Sequence, residues 1–397
     1  MAEVLPPLSL YIHTPWCVRK CPYCDFNSHE PSARELPEAA YLKALLNDLD
    51  ADLHLASGRE IQTIFIGGGT PSLLSPHFYN QLFKEIRLRL PFSSTVEITL
   101  EANPGTTEQQ RFIGYRDAGI NRLSLGIQSF HPEQLSALGR IHSGVEAVTA
   151  VQQARKAGFD NLNIDLMHGL PHQTPDLAME DIEQALALSP EHLSWYQLTL
   201  EPNTAFFSHP PALPEEEALW DIQEAGHQRL EQASFQRYEI SAYARNGQQS
   251  RHNINYWQFG DYLGIGAGAH GKLTTIDSEG HRHIQRRWKT RQPEAYLRRA
   301  NDPRGFVAGQ QQITQEELPL EFAMNALRLT EGVDMSVWAA YTGLPQAVLL
   351  TRLQSAHEKG LLMEMPEKLR ASPQGLLFLN ELLALISDQQ CNNQSIN

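Results

Sequence analysis

An α/β fold is what this chain predicts: six parallel strands curved into a partial (β/α)6 barrel, followed by a smaller α+β unit. Three observations carry the prediction. First, six short apolar runs alternate with helix-period segments: Leu8 to Ile12, Ile61 to Ile66, Val96 to Leu100, Arg122 to Ile127, Leu162 to Leu166 and Leu193 to Leu198. Such strand–helix–strand alternation builds a parallel sheet with helical crossovers. Second, polar residues recur at the ends of those runs, where parallel α/β folds keep their chemistry. Third, the pattern changes in the last fifth of the chain, where helices come first and short strands follow.

Each element has a local reason. Tyr41, Leu42, Leu45, Leu46, Leu49 and Leu53 recur at spacings of three and four, which marks one apolar face of a helix. Ser75-Pro76 supplies an N-cap followed by proline at the first helical position. Ser143 opens a helix that stops at Gly158, and Thr174 opens another that runs from Leu177 to Leu188. A helix from about Pro214 to Ser234 leads to a strand over Tyr238 to Ala242 and a glycine-rich turn, Gly264 to His270. The predicted organisation is a core barrel over 1–240, a connecting region over 241–312, a C-terminal unit over 313–388 and a disordered polar tail over 389–397. The C-terminal unit reads as three helices, two short strands split at Met365-Pro366-Glu367, and a last helix. That order is winged-helix-like.

Bulk properties exclude several classes. The 397 residues carry a net charge of −14, which disfavours broad nucleic-acid binding. The winged-helix-like unit has ten acidic and five basic residues from Glu316 onward, so a structural or docking role suits it better than DNA binding. No apolar run approaches the length of a transmembrane span, and the N-terminus lacks the basic and apolar regions of a secretory signal. A cytoplasmic protein is expected, with peripheral membrane contact left open. One segment opposes the acidic balance: Arg282, Arg286, Arg287, Lys289, Arg291, Arg298, Arg299 and Arg304 stand against Glu294 and Asp302. It reads either as a solvated connection or as an anion-facing surface.

The sharpest chemical signal is Cys17-Val-Arg-Lys-Cys21-Pro-Tyr-Cys24, directly after the first strand. Three thiolates on one loop are soft ligands suited to an iron–sulfur cluster or to zinc. Three of the four cysteines cluster, which reads as a metal site in a reducing compartment and not as a disulfide framework. An ordinary protein-held [4Fe–4S] cluster uses four cysteines. The fourth here, Cys391, lies in the tail. A three-thiolate cluster would leave one iron open to an outside ligand.

Around that loop the strand ends gather Gly67-Gly68-Gly69-Thr70, Glu101, Gln128 with Arg140 shortly after, and Asp165. Glycines let backbone approach a ligand closely. Carboxylates accept hydrogen bonds from ribose hydroxyls or an ammonium, and arginine pairs with a carboxylate in bidentate fashion. The bland alternatives are a tight turn for the glycines and an internal ion pair for the charges. Tyr11 and His13 alternate on strand one and so share a face.

The combination Tyr11-x-His13-x-Pro15-x-Cys17-x-x-x-Cys21-x-x-Cys24, Gly-Gly-Gly-Thr-Pro, Glu101, Gln128, Arg140 and Asp165 resembles the oxygen-independent coproporphyrinogen III oxidase-like radical S-adenosylmethionine (SAM) proteins. The resemblance extends over nearly the whole chain. It implies a radical SAM barrel, a [4Fe–4S] cluster on Cys17, Cys21 and Cys24, and SAM contacts from Tyr11, Tyr23, Gly68, Gly69, Thr70, Glu101, Gln128, Arg140 and Asp165. Two departures separate this chain from the true oxidases. Phe26 stands where they carry a further cysteine, and only sixteen residues precede Cys17 where they have a longer extension. Both point to the sister group of HemW-like haem chaperones. The motif of that group is present as His252-Asn253-Ile-Asn-Tyr256-Trp257. By this resemblance His252, Tyr256 and Trp257 are expected near haem, since imidazole is a natural axial ligand and aromatics cover a porphyrin face. The expected function is haem binding and transfer to acceptor apoproteins. The alternative is an enzyme that decarboxylates coproporphyrinogen III by radical SAM chemistry, against which both departures weigh.

Overall fold

The structure is a computed structural model and describes residues 5–32, 35–364 and 367–394. Its centre is a sheet of twelve strands. Six parallel neighbours form its middle: β1 (Leu8–Thr14), β2 (Ile61–Gly68), β3 (Phe92–Ala102), β4 (Arg122–Gln128), β5 (Leu162–His168) and β6 (His192–Gln197). All six expected strands are present. Beyond β6 lie β7 (Gln236–Arg237) and β8 (Ala242–Ala244), both antiparallel. Beyond β1 lies β9 (Asp261–Ile265), parallel to it. Antiparallel β10 (His270–Ile276), β11 (Arg282–Lys289) and β12 (Val307–Gln312) follow. The order β12-β11-β10-β9-β1-β2-β3-β4-β5-β6-β8-β7 has two free ends, so the sheet curves without closing into a barrel.

The strand alternation divides the sheet into two faces. Leu8, Leu10, Ile12, Ile64, Ile66, Ile98, Leu100, Leu123, Leu125, Ile164 and Leu193 are all buried in the large apolar core on the convex side. Tyr41, Leu45 and Leu49 of the first helix, Glu38–Ala56, pack into the same core. The intervening residues form a polar concave face: Ser9, Tyr11 and His13 on β1; Thr63 and Gly67 on β2; Glu97 and Glu101 on β3; Ser124 on β4; Asn163 and Asp165 on β5; Ser194 and Tyr196 on β6. That face carries the site.

The helix starts follow their expected chemistry. Ser75 accepts from the Phe78 amide at 3.1 Å, and Thr174 from the Leu177 amide at 3.3 Å. Ser143 and Glu146 form a reciprocal capping box.

Four expectations change. Of the expected strand Tyr238 to Ala242 only Ala242 is in a strand, β8; Tyr238 to Ser241 form the turn joining β7 to β8. Glu239 accepts from the Ser241 amide and hydroxyl there, and the Arg237 guanidinium donates to the carbonyls of Glu239 and Ile240. Residues 241–312 do not merely connect; they supply β8 to β12 of the central sheet. The basic segment is consumed largely by internal ion pairs. Lys289 Nζ binds Asp52 at 2.7 Å and also Asp48, Arg287 binds Asp52 at 3.0 Å, and Arg286 holds Glu321. Finally, the last helix, Leu379–Gln394, runs past the expected start of the disordered tail at 389.

The C-terminal unit keeps its three leading helices, Leu318–Ala326, Met335–Thr342 and Gln346–Glu358. They pack with Leu382 and Ile386 of the last helix into a second apolar core around Trp338 and Phe322. β13 (Val333–Asp334) pairs with β14 (Lys368–Leu369), and Leu362 forms a single bridge to Ala371. Most of the expected split at Met365-Pro366-Glu367 lies outside the described residues. No helix among the described residues is long and apolar enough to cross a membrane.

Candidate functional site

The loop after β1 carries the three cysteines and is fixed at both ends. Cys17 N–H donates to His29 O at 3.0 Å and His29 N–H to Pro15 O at 2.7 Å, which closes the loop on itself. Cys24 N–H donates to Cys21 O at 3.1 Å and forms a turn through Pro22-Tyr23. Asn27 Nδ2 donates to the carbonyls of Ala267 and Arg291, both at 2.9 Å, and so ties the loop to the strands beyond β1.

This loop roofs a cavity of about 330 Å³ at the C-terminal ends of β1 to β6. Cys17, Cys21 and Cys24 line it together with Tyr23, Gly68, Gly69, Thr70, Glu101, Gln128, Arg140 and Asp165. Tyr11 is the one residue of the expected SAM set outside this lining. It is half-buried, donates to His13 Nδ1 at 3.0 Å, and lines a neighbouring cavity.

The glycines are there because backbone must come close. Gly68 has φ +112°, and a Cβ on it would stand 2.7 Å from the His13 ring. A Cβ on Gly69 would stand 2.4 Å from Trp16 O. The Gly68 amide donates to Glu101 Oε2 at 3.3 Å. Gln128 sits at a bulge between β4 and β5 with φ +71°, and its Oε1 accepts from Tyr196 OH at 2.8 Å. Arg140 Nη2 donates to Asn103 Oδ1 at 2.7 Å and to Gly126 O, and Asn103 Nδ2 donates to Thr70 Oγ1 at 3.1 Å. Asn103, Ser124, Ser194 and Tyr196 are cavity residues that sequence reasoning missed. The signal for the last three was the polar alternation on β4 and β6.

The electrostatics are those of charges taken out of water. Burial pushes Glu101 up to about 8, reinforced by nearby Asp165 and opposed by the Gly68 amide. Burial raises Asp165 as well, against hydrogen bonds from Ser194, Ser124 and Asn163. Burial likewise raises the thiols of Cys17 and Cys24. A positive partner entering the cavity would favour the charged form of each of these groups. Arg140 Nη1 lies 3.7 Å from Cys21 Sγ, and its Nε is buried with no partner among the described residues. The residues therefore suit the group the motif implies. Soft thiols line one wall, carboxylates able to meet an ammonium or ribose line another, and an unsatisfied guanidinium N–H points to an acceptor. Among the described residues, no three His, Cys, Asp or Glu side chains are grouped to hold a single ion.

The hexapeptide forms a short helix, Arg251–Trp257, at the opposite end of the concave face. Glu97 accepts from the amides of Arg251 and His252 at 3.2 and 3.1 Å, and Ser250 caps from behind. His252 is enclosed. Its Nδ1 meets Thr63 Oγ1 at 2.8 Å, its ring packs on Phe65, and burial with nearby Arg122 lowers it to about 3. His252 is thus packed and hydrogen-bonded within the closed end of the face. Trp257 turns into the second core, under the Arg328 guanidinium at 4.5 Å. Tyr256 lines the cavity that Tyr11 also lines, and its hydroxyl bonds that of Tyr262.

An open, mostly parallel sheet with a three-cysteine loop over its strand ends defines a radical SAM protein. The model of the radical SAM superfamily matches residues 11–185, and that of the HemN C-terminal domain matches residues 313–378. The chain is 51% identical over 381 residues to the heme chaperone HemW of Escherichia coli K12, covering 96% of this chain and 98% of that one. It is 33% identical to the heme chaperone HemW of Bacillus subtilis, covering 94% of this chain and 97% of that one. It is also 33% identical to the mitochondrial radical S-adenosyl methionine domain-containing protein 1 of Bos taurus, covering 94% and 86%. Among solved structures it resembles the E. coli coproporphyrinogen III oxidase HemN, with a TM-score of 0.80, 23% identity, and coverage of 97% of this chain and 91% of that one. At that identity the likeness speaks of fold alone. This chain belongs to the HemW family of haem chaperones within the radical SAM superfamily.

Proposed function

We propose that this protein binds haem and hands it to acceptor apoproteins in a reducing, cytoplasmic setting, with a [4Fe–4S] cluster and SAM held in the cavity over β1 to β6. The observation that carries the reading is that this one cavity is lined at once by Cys17, Cys21, Cys24, Gly68, Gly69, Thr70, Glu101, Gln128, Arg140 and Asp165, in a chain whose relatives are named haem chaperones.

The cluster would rest on the three thiolates, and bound there it would supply an open iron and one-electron chemistry. The chain's own groups do the rest. Glu101 and Asp165 accept hydrogen bonds from the ammonium or ribose of SAM, and an incoming cation stabilises their ionised forms. Arg140, anchored on Asn103 and Gly126, would pair with the carboxylate of SAM. Gly68 and Gly69, pressed against His13, Thr14 and Trp16, bring backbone to the cavity wall, where it would contact SAM.

The test is an anaerobic preparation assayed together for iron, acid-labile sulfide, bound haem, deoxyadenosine and turnover of coproporphyrinogen III. The reading requires iron and sulfide in equal amounts, retained haem that moves to an apoprotein, and no protoporphyrinogen product. Oxidase turnover above a cluster-free control would assign the chain to the enzyme alternative, and zinc without sulfide would remove the cluster.

A further inference from the structure

A second cavity, of about 370 Å³, lies on the far side of the cysteine loop, between its tip and β9 to β11. Phe26 lines both cavities and forms the wall between them. The size falls within the ~300–1,000 Å³ of small-molecule sites. Two imidazoles line it. His13 is already committed, with Nδ1 bonded to Tyr11 OH at 3.0 Å and Nε2 to Asn27 O at 2.9 Å. His270 is exposed, is steadied against the Trp288 ring at 6.3 Å, and has no hydrogen-bond partner on its ring among the described residues.

The same cavity exposes Arg291. Most cations of its basic segment are spent on carboxylates, yet none of the ion pairs among the described residues includes Arg291. The Asn27 bond to its carbonyl fixes its backbone against the cysteine loop. The walls are aromatic. Phe26 is 58% exposed on one side, an unusual place for a phenylalanine, and on the other Tyr256 stacks on Tyr262 at 4.4 Å. Asp25 is the one carboxylate in the lining.

A free imidazole, an unpaired guanidinium and facing aromatic walls match the three parts of a haem: an iron with an open axial position, a propionate and a flat apolar macrocycle. We propose that haem docks in this second cavity, with a His270 ring nitrogen donating its electron pair to the iron and Arg291 pairing with a propionate, and with Phe26 separating it from the SAM cavity. The proposal rests on the haem-chaperone reading and names the site within it. It assigns the iron to His270, not to His252, and leaves Tyr256 as the member of the hexapeptide that meets the porphyrin.

The experiment titrates ferric haem into the anaerobic full-length chain and into the variants His270→Ala, His270→Gln, Arg291→Ala and His252→Ala, following the Soret band and the iron and sulfide content. His270→Ala and His270→Gln are expected to shift the Soret band and weaken binding by about tenfold or more, with cluster content unchanged. Added imidazole should restore the original spectrum of His270→Ala. Arg291→Ala should weaken haem a few-fold but leave haem dimethyl ester, whose propionates are blocked, unaffected. An unchanged spectrum and affinity in both His270 variants would overturn the site, as would equal losses for haem and its ester in Arg291→Ala. A native chain that binds no haem at all would instead overturn the chaperone reading itself, and this site with it.

Discussion

The two ends of the concave sheet face are built from the same alternation and have opposite fates. At the end near the N-termini of the strands, most polar side chains are bonded to one another or to a capping element, with Arg122 Nε an exception among the described residues. Ser9 bonds Thr63 at 2.7 Å, Thr63 bonds His252, and Asn255 Nδ2 reaches Ser9 at 2.9 Å. His192 is held between Asn163 at 2.6 Å and Tyr238 at 2.8 Å. The helix Arg251–Trp257 plugs this end. At the other end nothing comparable covers Glu101, Asp165 and Arg140; they face a cavity roofed by the cysteine loop. Buried polar groups are stable when satisfied and costly when not. The bonded end is scaffold, and the end where burial raises both Glu101 and Asp165 despite their hydrogen bonds, beside Arg140, is poised for a ligand.

The comparison breaks most plainly at the roof. Replacing any of Cys17, Cys21 or Cys24 with Ala is expected to abolish cluster iron and sulfide, while Cys391→Ala leaves both intact. Retention of the cluster in Cys21→Ala would show that the open end is not the metal site.

Next in size is SAM affinity. Glu101→Gln or Asp165→Asn should weaken SAM binding by roughly 10–100-fold, as the loss of one charge-assisted contact of about 1.5–3 kcal/mol requires. Cluster content should hold, and calorimetry with no change for either variant would place SAM elsewhere. The same site has a pH signature. Glu101 is raised from its usual 4.5 to about 8, so the folded, SAM-free chain binds its proton more tightly than the unfolded chain does. Stability from this group is therefore full below about pH 4.5 and falls as the pH rises to about 8. Glu101→Gln should raise the melting temperature of the SAM-free protein clearly at pH 8.5 and little at pH 5. An equal rise at both would mean that the carboxylate is not desolvated.

At the closed end the expected effects are on stability. His252→Ala should cost about 1–3 kcal/mol, from a lost buried hydrogen bond that leaves Thr63 short of a partner, with cluster and SAM binding unchanged. Denaturant unfolding measures it. A variant of native stability that has lost haem would show that His252 serves haem and not packing alone. Glu97→Gln is the smallest test. Removing the charge that holds two helix-start amides should cost about 0.5–1.5 kcal/mol, and a larger loss of SAM than of stability would show that the plug and the cavity are coupled.

Much of this was legible before any coordinates. The six strands, the caps at Ser75, Ser143 and Thr174 and the three-cysteine loop are local patterns, and local patterns survive folding. What misled were segments whose partners lie far away in sequence. Tyr238 to Ala242 has the composition of a strand, but the local bonds of Arg237 and Glu239 turn it. The cations from Arg282 onward look free along the chain. Asp48 and Asp52, more than two hundred residues earlier, neutralise two of them.

The sequence by itself determined which residues alternate inward on each strand, which thiols share a loop, and that the glycines after β2 must let backbone through. Those properties follow from a two-residue period, from ligand spacing and from the absence of a Cβ. Only the tertiary structure decided which end of the inward face stays open. That depends on where the Arg251–Trp257 helix docks, and docking is fixed by contacts such as Glu97 with the amides of Arg251 and His252, across some 150 residues of chain. The same long-range pairing turned one histidine of the chain into a plug and left another, His270, facing a cavity.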